Sequence, residues 1–263
     1  MVDFNERTKL AIEMVKRAGA EALEIQKGDV GARDKGVNDV VTAADMASEK
    51  IITDSIISNF GDDGIIAEEG SRKESRTGYV WVADPLDGTI NYSRGMPLWA
   101  VSVGYMKDGA AQGGAMYIPR LDELFVCERG KGAWLNGERI SVSDRDLKCA
   151  IGSIDFGSRI QLREQFENVN KKLMENNMHI RKLGTAVTAL CYVACGRLEL
   201  FCSLMCNLWD IMPASLLVEE AGGKITQLNG SEVDYTQVEK HCVIGTNGII
   251  HERTLELVVE RKD

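Results

Sequence analysis

At 263 residues the chain is long enough for one large domain or two closely packed ones, and 44% apolar with 27% charged residues excludes a disordered polypeptide. A net charge of −9 excludes a general binder of nucleic acid or anionic membrane, which needs a basic surface. No apolar run reaches the roughly 18 residues of a membrane span. The charged N-terminal stretch lacks the apolar core of a signal peptide. Seven cysteines, an odd number in mostly apolar surroundings, read as buried free thiols in a reducing cytoplasm.

In chain order, Asp3 and Glu6 form a D-x-x-E capping pattern ahead of Ala11, Met14, Ala18, Ala22 and Ile25 at helical spacing. Residues 28–38 read as a polar loop. Thr42 and Asp45 repeat the cap and open a second helix with Ile52, Ile56 and Phe60 on one face. The period then becomes two. Strands are expected at 64–67, 79–83, 99–106, 110–117 and 123–127, and Asn136-Gly137 signals a hairpin turn. The second half alternates: a strand at 150–156, a helix at 161–176, a strand ending near Leu183, a helix at 185–195 stopped by Gly196, and a strand at 198–203. A helix at 211–221, strands at 224–228 and 241–246 and a closing helix from Gly248 follow. The pattern implies an α/β protein of two subdomains, 1–149 and 150–263, each with a mixed sheet and sharing one interface.

The chemistry concentrates in residues 81–93. An apolar strand delivers Asp84-Pro85-Leu86-Asp87-Gly88-Thr89, in which Pro85 forces a turn that brings both aspartates to one side. Gly88 permits close approach of a ligand, and the Gly88 and Thr89 N–H groups would form an anion nest. Two acids, a turn, a glycine and a hydroxyl are the parts of a metal-plus-phosphate site; the competing reading is an Asp-rich surface turn. Glu68-Glu69 ends another apolar strand, and Asp210 follows Leu208-Trp209 at a helix start, where alone it would be an N-cap. If these segments converge, each close carboxylate pair repels by about 4 kcal/mol, and bound cations are required. Oxygen ligands without clustered His or Cys select Mg²⁺, Mn²⁺ or Ca²⁺ over zinc. Cys191/Cys195 and Cys202/Cys206 read as packing, His179 as a partly buried structural residue, and Lys35 as part of a loop over the site.

The sequence resembles the inositol monophosphatase family of Mg²⁺-dependent, lithium-sensitive phosphatases, in the fructose-1,6-bisphosphatase superfamily. The resemblance rests on D-P-L-D-G-T-x-N at 84–91 and on W-D…E-A-G-G at 209–210 and 220–223. It extends to Glu68-Glu69, D-x-V-T-x-x-D at 39–45, G-K-G-A-x-x-N-G at 130–137 and G-T-A at 184–186. It implies an αβαβα sandwich of helix pairs and mixed sheets, with the active site between the two subdomains. It also implies two to three Mg²⁺ ions, with Mn²⁺ as substitute and Li⁺ and Ca²⁺ as inhibitors. Glu68, Asp84 and the Leu86 carbonyl would hold the first ion, and Asp84, Asp87 and Asp210 the second. A third, weaker ion would rest on Glu68. Thr89 and Asp45, with Glu68, would activate the attacking water; Gly88 and Thr89 would hold the phosphate.

Gly184, Thr185 and Ala186 would line the substrate pocket, with Asp87 and Asp210 at its edge. The reaction expected is in-line hydrolysis of a small phosphorylated polyol or sugar, by a cytoplasmic homodimer. Inositol-specific members carry a glutamate where this chain has Ser203, so inositol phosphate, other sugar phosphates, fructose 1,6-bisphosphate, histidinol phosphate and nucleotide phosphates all stay open as substrates. A competing class is a regulatory binding protein retaining the fold.

Overall fold

A computed structural model describes residues 2–28, 30–36, 39–155 and 160–258. The first helix, α1 (Glu6–Gln26), starts two residues later than the Asp3 pattern suggests. Asn5 is its N-cap, and its side chain accepts the Thr8 N–H at 3.0 Å. A short hairpin follows, β1 (Arg33–Gly36) with β2 (Asp39–Val41). The side chains of residues 34–39, Lys35 among them, lie outside the described part. Next comes α2 (Ala43–Asn59), opened by Thr42 as expected.

Eight strands make the larger sheet: β3 (Gly64–Ala67), β4 (Arg72–Lys73), β5 (Tyr79–Asp87), β6 (Ala100–Lys107), β7 (Ala110–Ile118), β8 (Glu123–Glu128), β9 (Gly132–Leu135) and β10 (Glu138–Ile140). Their order is β10-β9-β8-β7-β6-β5-β3-β4, antiparallel except for the parallel pair β3 and β5. Helix α3 (Thr89–Ser93) is a single turn between β5 and β6. The turn joining β9 to β10 has Asn136 and Gly137 at φ 51° and 84°, the left-handed geometry a tight hairpin needs.

The second half supplies β11 (Ile151–Asp155), α4 (Arg163–Glu175), β12 (His179–Arg181), α5 (Ala186–Ala194), β13 (Leu200–Cys206), α6 (Leu208–Glu220), β14 (Lys224–Gln227), β15 (His241–Thr246) and α7 (His251–Val258). The expected strand end at Phe156 lies outside the described residues. Sheet order is β12-β11-β13-β15-β14, parallel around β11 and antiparallel elsewhere. His179 is exposed, not partly buried as expected, because the short edge strand β12 turns it to solvent.

The result is five layers. Helices α1 and α2 cover one face of the large sheet, α5 and α6 fill the space between the sheets, and α4 and α7 cover the outer face of the small one. Each gap holds a buried apolar cluster, the middle one joining Val82, Met116 and Phe125 to Val187, Leu216 and Val243. Helix α6 is buried all round, at ten of its thirteen positions, because a sheet lies on either side. No helix among the described residues is long and apolar enough to cross a membrane.

Candidate functional site

The strand β5 does not turn at Pro85, as the sequence suggested, but continues to Asp87 through a bulge. Asp84 pairs with Ser102 and Asp87 with Ala100, so two residues on β5 oppose one on β6. Regular alternation would send positions three apart to opposite faces; the extra residue re-aims the second aspartate. Pro85 suits the bulge because no ladder N–H is needed there. The Asp84 carboxylate, 1% exposed, accepts the Leu86 N–H at 3.0 Å. Gly88 then adopts φ 88°, and a Cβ there would stand 3.1 Å from the Leu98 carbonyl and 3.3 Å from Thr185. Only glycine permits that conformation at that spacing.

Glu68 is brought alongside by the parallel pairing of Ala67 with Ala83, and its N–H donates to the Ala83 carbonyl at 3.2 Å. Its carboxyl meets that of Asp84 within hydrogen-bonding reach. The turn that carries it is held by Glu49, a residue the sequence reading passed over. Buried Glu49 accepts the Glu69 and Ser71 N–H groups at 2.8 and 2.9 Å. One helical turn earlier on the same face, Asp45 accepts the Thr42 N–H at 2.8 Å. Its other oxygen lies 3.2 Å from the Thr89 hydroxyl, which is also 3.0 Å from the Leu86 carbonyl.

From the second half, Asp210 enters in the first turn of α6. It is the third helical residue rather than the N-cap expected: Asn207 caps, and its N–H donates to Asp210 at 2.6 Å. Asp87 accepts from the Thr185 hydroxyl and from the Ala186 and Val187 N–H groups at 3.3 and 2.8 Å, an anchor at the start of α5. Asn91 donates to the Leu183 and Leu98 carbonyls at 2.8 and 2.7 Å, setting Gly184, Thr185 and Ala186 against the 84–91 segment. Ser203, at 1% exposure, turns its hydroxyl to the Met205 carbonyl, 3.0 Å away.

Burial pushes the Asp84 carboxyl well above the usual range, reinforced by the charges of Glu68, Asp87 and Asp210. Burial also raises Asp87 and Asp210, opposed by the hydrogen bonds they accept and reinforced by a further acid, Asp155. Asp45 is raised by burial against the pull of Thr42 and Thr89. Among the described residues no group of three or more His, Cys, Asp or Glu side chains is drawn together closely enough to hold a metal ion as it stands. The acids instead form a chain of mutually repelling neighbours, all oxygen donors, with one carboxyl–carboxyl contact that needs a proton or a cation between its members. That donor set fits hard divalent cations. The seven cysteines are free, as expected, but not all are buried: Cys149 is exposed and Cys195 and Cys242 are only partly covered.

Known proteins share both the sequence pattern and the fold. The sequence model of the inositol monophosphatase family matches residues 3–263. A Thermotoga maritima protein named fructose-1,6-bisphosphatase/inositol-1-monophosphatase is 33% identical, covering 97% of this chain and 96% of its own. The Nus factor SuhB of Escherichia coli K12 is 38% identical over 84% of this chain and 85% of its own. Among solved structures, the suhB extragenic suppressor protein of Bartonella henselae superposes with a TM-score of 0.89 at 29% identity, covering 96% and 98% of the two chains. The Thermotoga maritima IMPase gives 0.85 at 31%, covering 97% of each.

Proposed function

The chain belongs to the inositol monophosphatase family, and on that premise we propose that it is a metal-dependent phosphomonoesterase acting on a small phosphorylated polyol or sugar. The observation that carries the proposal is a buried Asp84 among Glu68, Asp87 and Asp210, beside the Thr89–Asp45 contact. Glu68, Asp84 and the Leu86 carbonyl would hold one Mg²⁺, Asp84, Asp87 and Asp210 a second, and Glu68 a third, weaker one. Bound there, Mg²⁺ supplies positive charge to the phosphate oxygens and acidifies a water.

The chain's own groups do the rest. A water donating to the Thr89 oxygen lets that hydroxyl pass its proton to the facing oxygen of Asp45. Thr42 pins the other Asp45 oxygen, so the acceptor is oriented before substrate arrives. The Gly88 and Thr89 N–H groups hold the phosphate, and Gly184, Thr185 and Ala186 line the side where the alcohol departs. Ser203, buried and with its hydroxyl engaged by Met205, offers the substrate no free group. We place this site between segments 1–149 and 150–263 and read the working form as a homodimer.

The test is phosphate release by folded protein from inositol 1-phosphate, fructose 1,6-bisphosphate, histidinol phosphate and 3′-phosphoadenosine phosphate, with and without Mg²⁺. Mg²⁺-dependent release from at least one is expected; none from any overturns the reading. A second reading, a regulatory binding protein, draws on relatives named Nus factor SuhB. Partner capture by the Asp84→Asn variant, with no turnover in wild type, would favour it.

A further inference from the structure

One acid near the site has no place in the ligand sets above. Asp155 is the last residue of β11, and its partner across the parallel ladder is Ser203 on β13. Parallel neighbours end at the same sheet edge, and ligands of α/β sheets bind at the carboxyl ends of such strands. Ser203 itself has nothing left to offer: its hydroxyl donates to the Met205 carbonyl at 3.0 Å and accepts the Met205 N–H at 3.3 Å. Asp155 is partly buried. Its charge bears on Asp87 and Asp210, whereas the charges leading at Asp84 are Glu68, Asp87 and Asp210. Asp155 thus stands near Asp87 and Asp210, and Asp87 is itself bound to Thr185 and Ala186, the segment proposed to line the side where the alcohol departs.

We infer that Asp155 is a specificity-determining residue of this site, its carboxylate accepting hydrogen bonds from hydroxyl groups of a polyol or sugar phosphate. The inference rests on the phosphatase reading above. An ionised carboxylate only accepts, and its two oxygens span neighbouring hydroxyls of one ring. A site built to bond hydroxyls discriminates strongly against esters lacking them.

The experiment compares wild type, Asp155→Asn and Asp155→Ala on inositol 1-phosphate, fructose 1,6-bisphosphate and 4-nitrophenyl phosphate, which carries no alcohol hydroxyls. On the hydroxylated ester turned over best, KM should rise about tenfold in Asp155→Ala with kcat within about twofold. Asp155→Asn, which keeps an acceptor and nearly the same shape, should fall between. Kinetics on 4-nitrophenyl phosphate and the Mg²⁺ half-saturation point should not move. An unchanged KM, an equal loss on both ester types, or a shifted Mg²⁺ requirement overturns the inference, the last making Asp155 a metal ligand. If wild type releases phosphate from no ester, the phosphatase reading fails by itself. Calorimetry with inositol 1-phosphate and inorganic phosphate then decides Asp155: weaker binding of the first alone supports it, and unchanged or absent binding overturns it.

Discussion

Thr185 donates its hydroxyl to Asp87, joining the N-terminus of α5 to the bulged end of β5. The same oxygen accepts the Thr188 N–H at 3.2 Å as the helix cap. One side chain thus fixes both a helix start and a proposed metal ligand. Thr185→Ala should cost about 1–2 kcal/mol in urea unfolding and lower kcat/KM about tenfold. Thr185→Ser should restore both; failure of Ser to recover activity would show that the methyl group matters, not the hydrogen bonds.

Asp84 is repelled by three acids in a buried setting. Asp84→Asn keeps the acceptor for the Leu86 N–H and removes the charge. Turnover should vanish, while the melting temperature in chelator rises by about 2–4 °C for each kcal/mol of repulsion relieved. Added Mg²⁺ should raise the melting temperature of wild type and leave the variant's nearly unchanged. A lower melting point in chelator would mean the acids are not in conflict.

The Thr89 hydroxyl is the link between solvent and Asp45. Thr89→Val should reduce kcat by about 10²–10⁴ with KM within a few-fold, and Thr89→Ser should recover most of it. Asp45→Asn should show the same kcat loss with about 1 kcal/mol less stability from its weakened bond to the Thr42 N–H. Steady-state kinetics beside thermal unfolding separates the two effects.

Away from the site, His251 is fully buried between the Thr226 and Thr246 hydroxyls, each 3.0 Å from a ring nitrogen. Burial, with Lys224 nearby and Glu252 opposing, lowers its pKa from 6.5 to about 4. The fold therefore favours the neutral ring, and its contribution is complete above pH 6.5 and lost as pH falls toward 4. Unfolding free energy should drop by on the order of 2 kcal/mol across that window, allowing for solvent screening. His251→Gln should flatten this part of the pH profile.

Most of this architecture was legible. Strands 64–67 and 241–246 appear with the bounds their alternation implied, and the Thr42–Asp45 cap is where its spacing put it. What escaped depended on tertiary placement. Glu49 looks like any helix charge until the turn at Glu69 folds onto it. Asp155 carries no motif, and its meaning comes only from its register with Ser203. The bulge at Pro85 was read as a turn because proline signals both, and only the pairing of Asp87 with Ala100 separates them. Asp3 offered a cap pattern, yet Asn5, whose N–H donates to Glu128 on β8 at 2.8 Å, took the position.

Helix α6 has a consequence for how the protein is made. The inner face of the eight-stranded sheet is complete in sequence by Ile140, but the helix that covers it spans 208–220. A nascent chain therefore presents Val82, Met116 and Phe125 bare while almost seventy more residues are synthesised, about 4–14 s at ribosomal rates. During that interval the molecule is an adhesive half-sandwich, and it should lean on chaperones for its yield more than its finished form suggests.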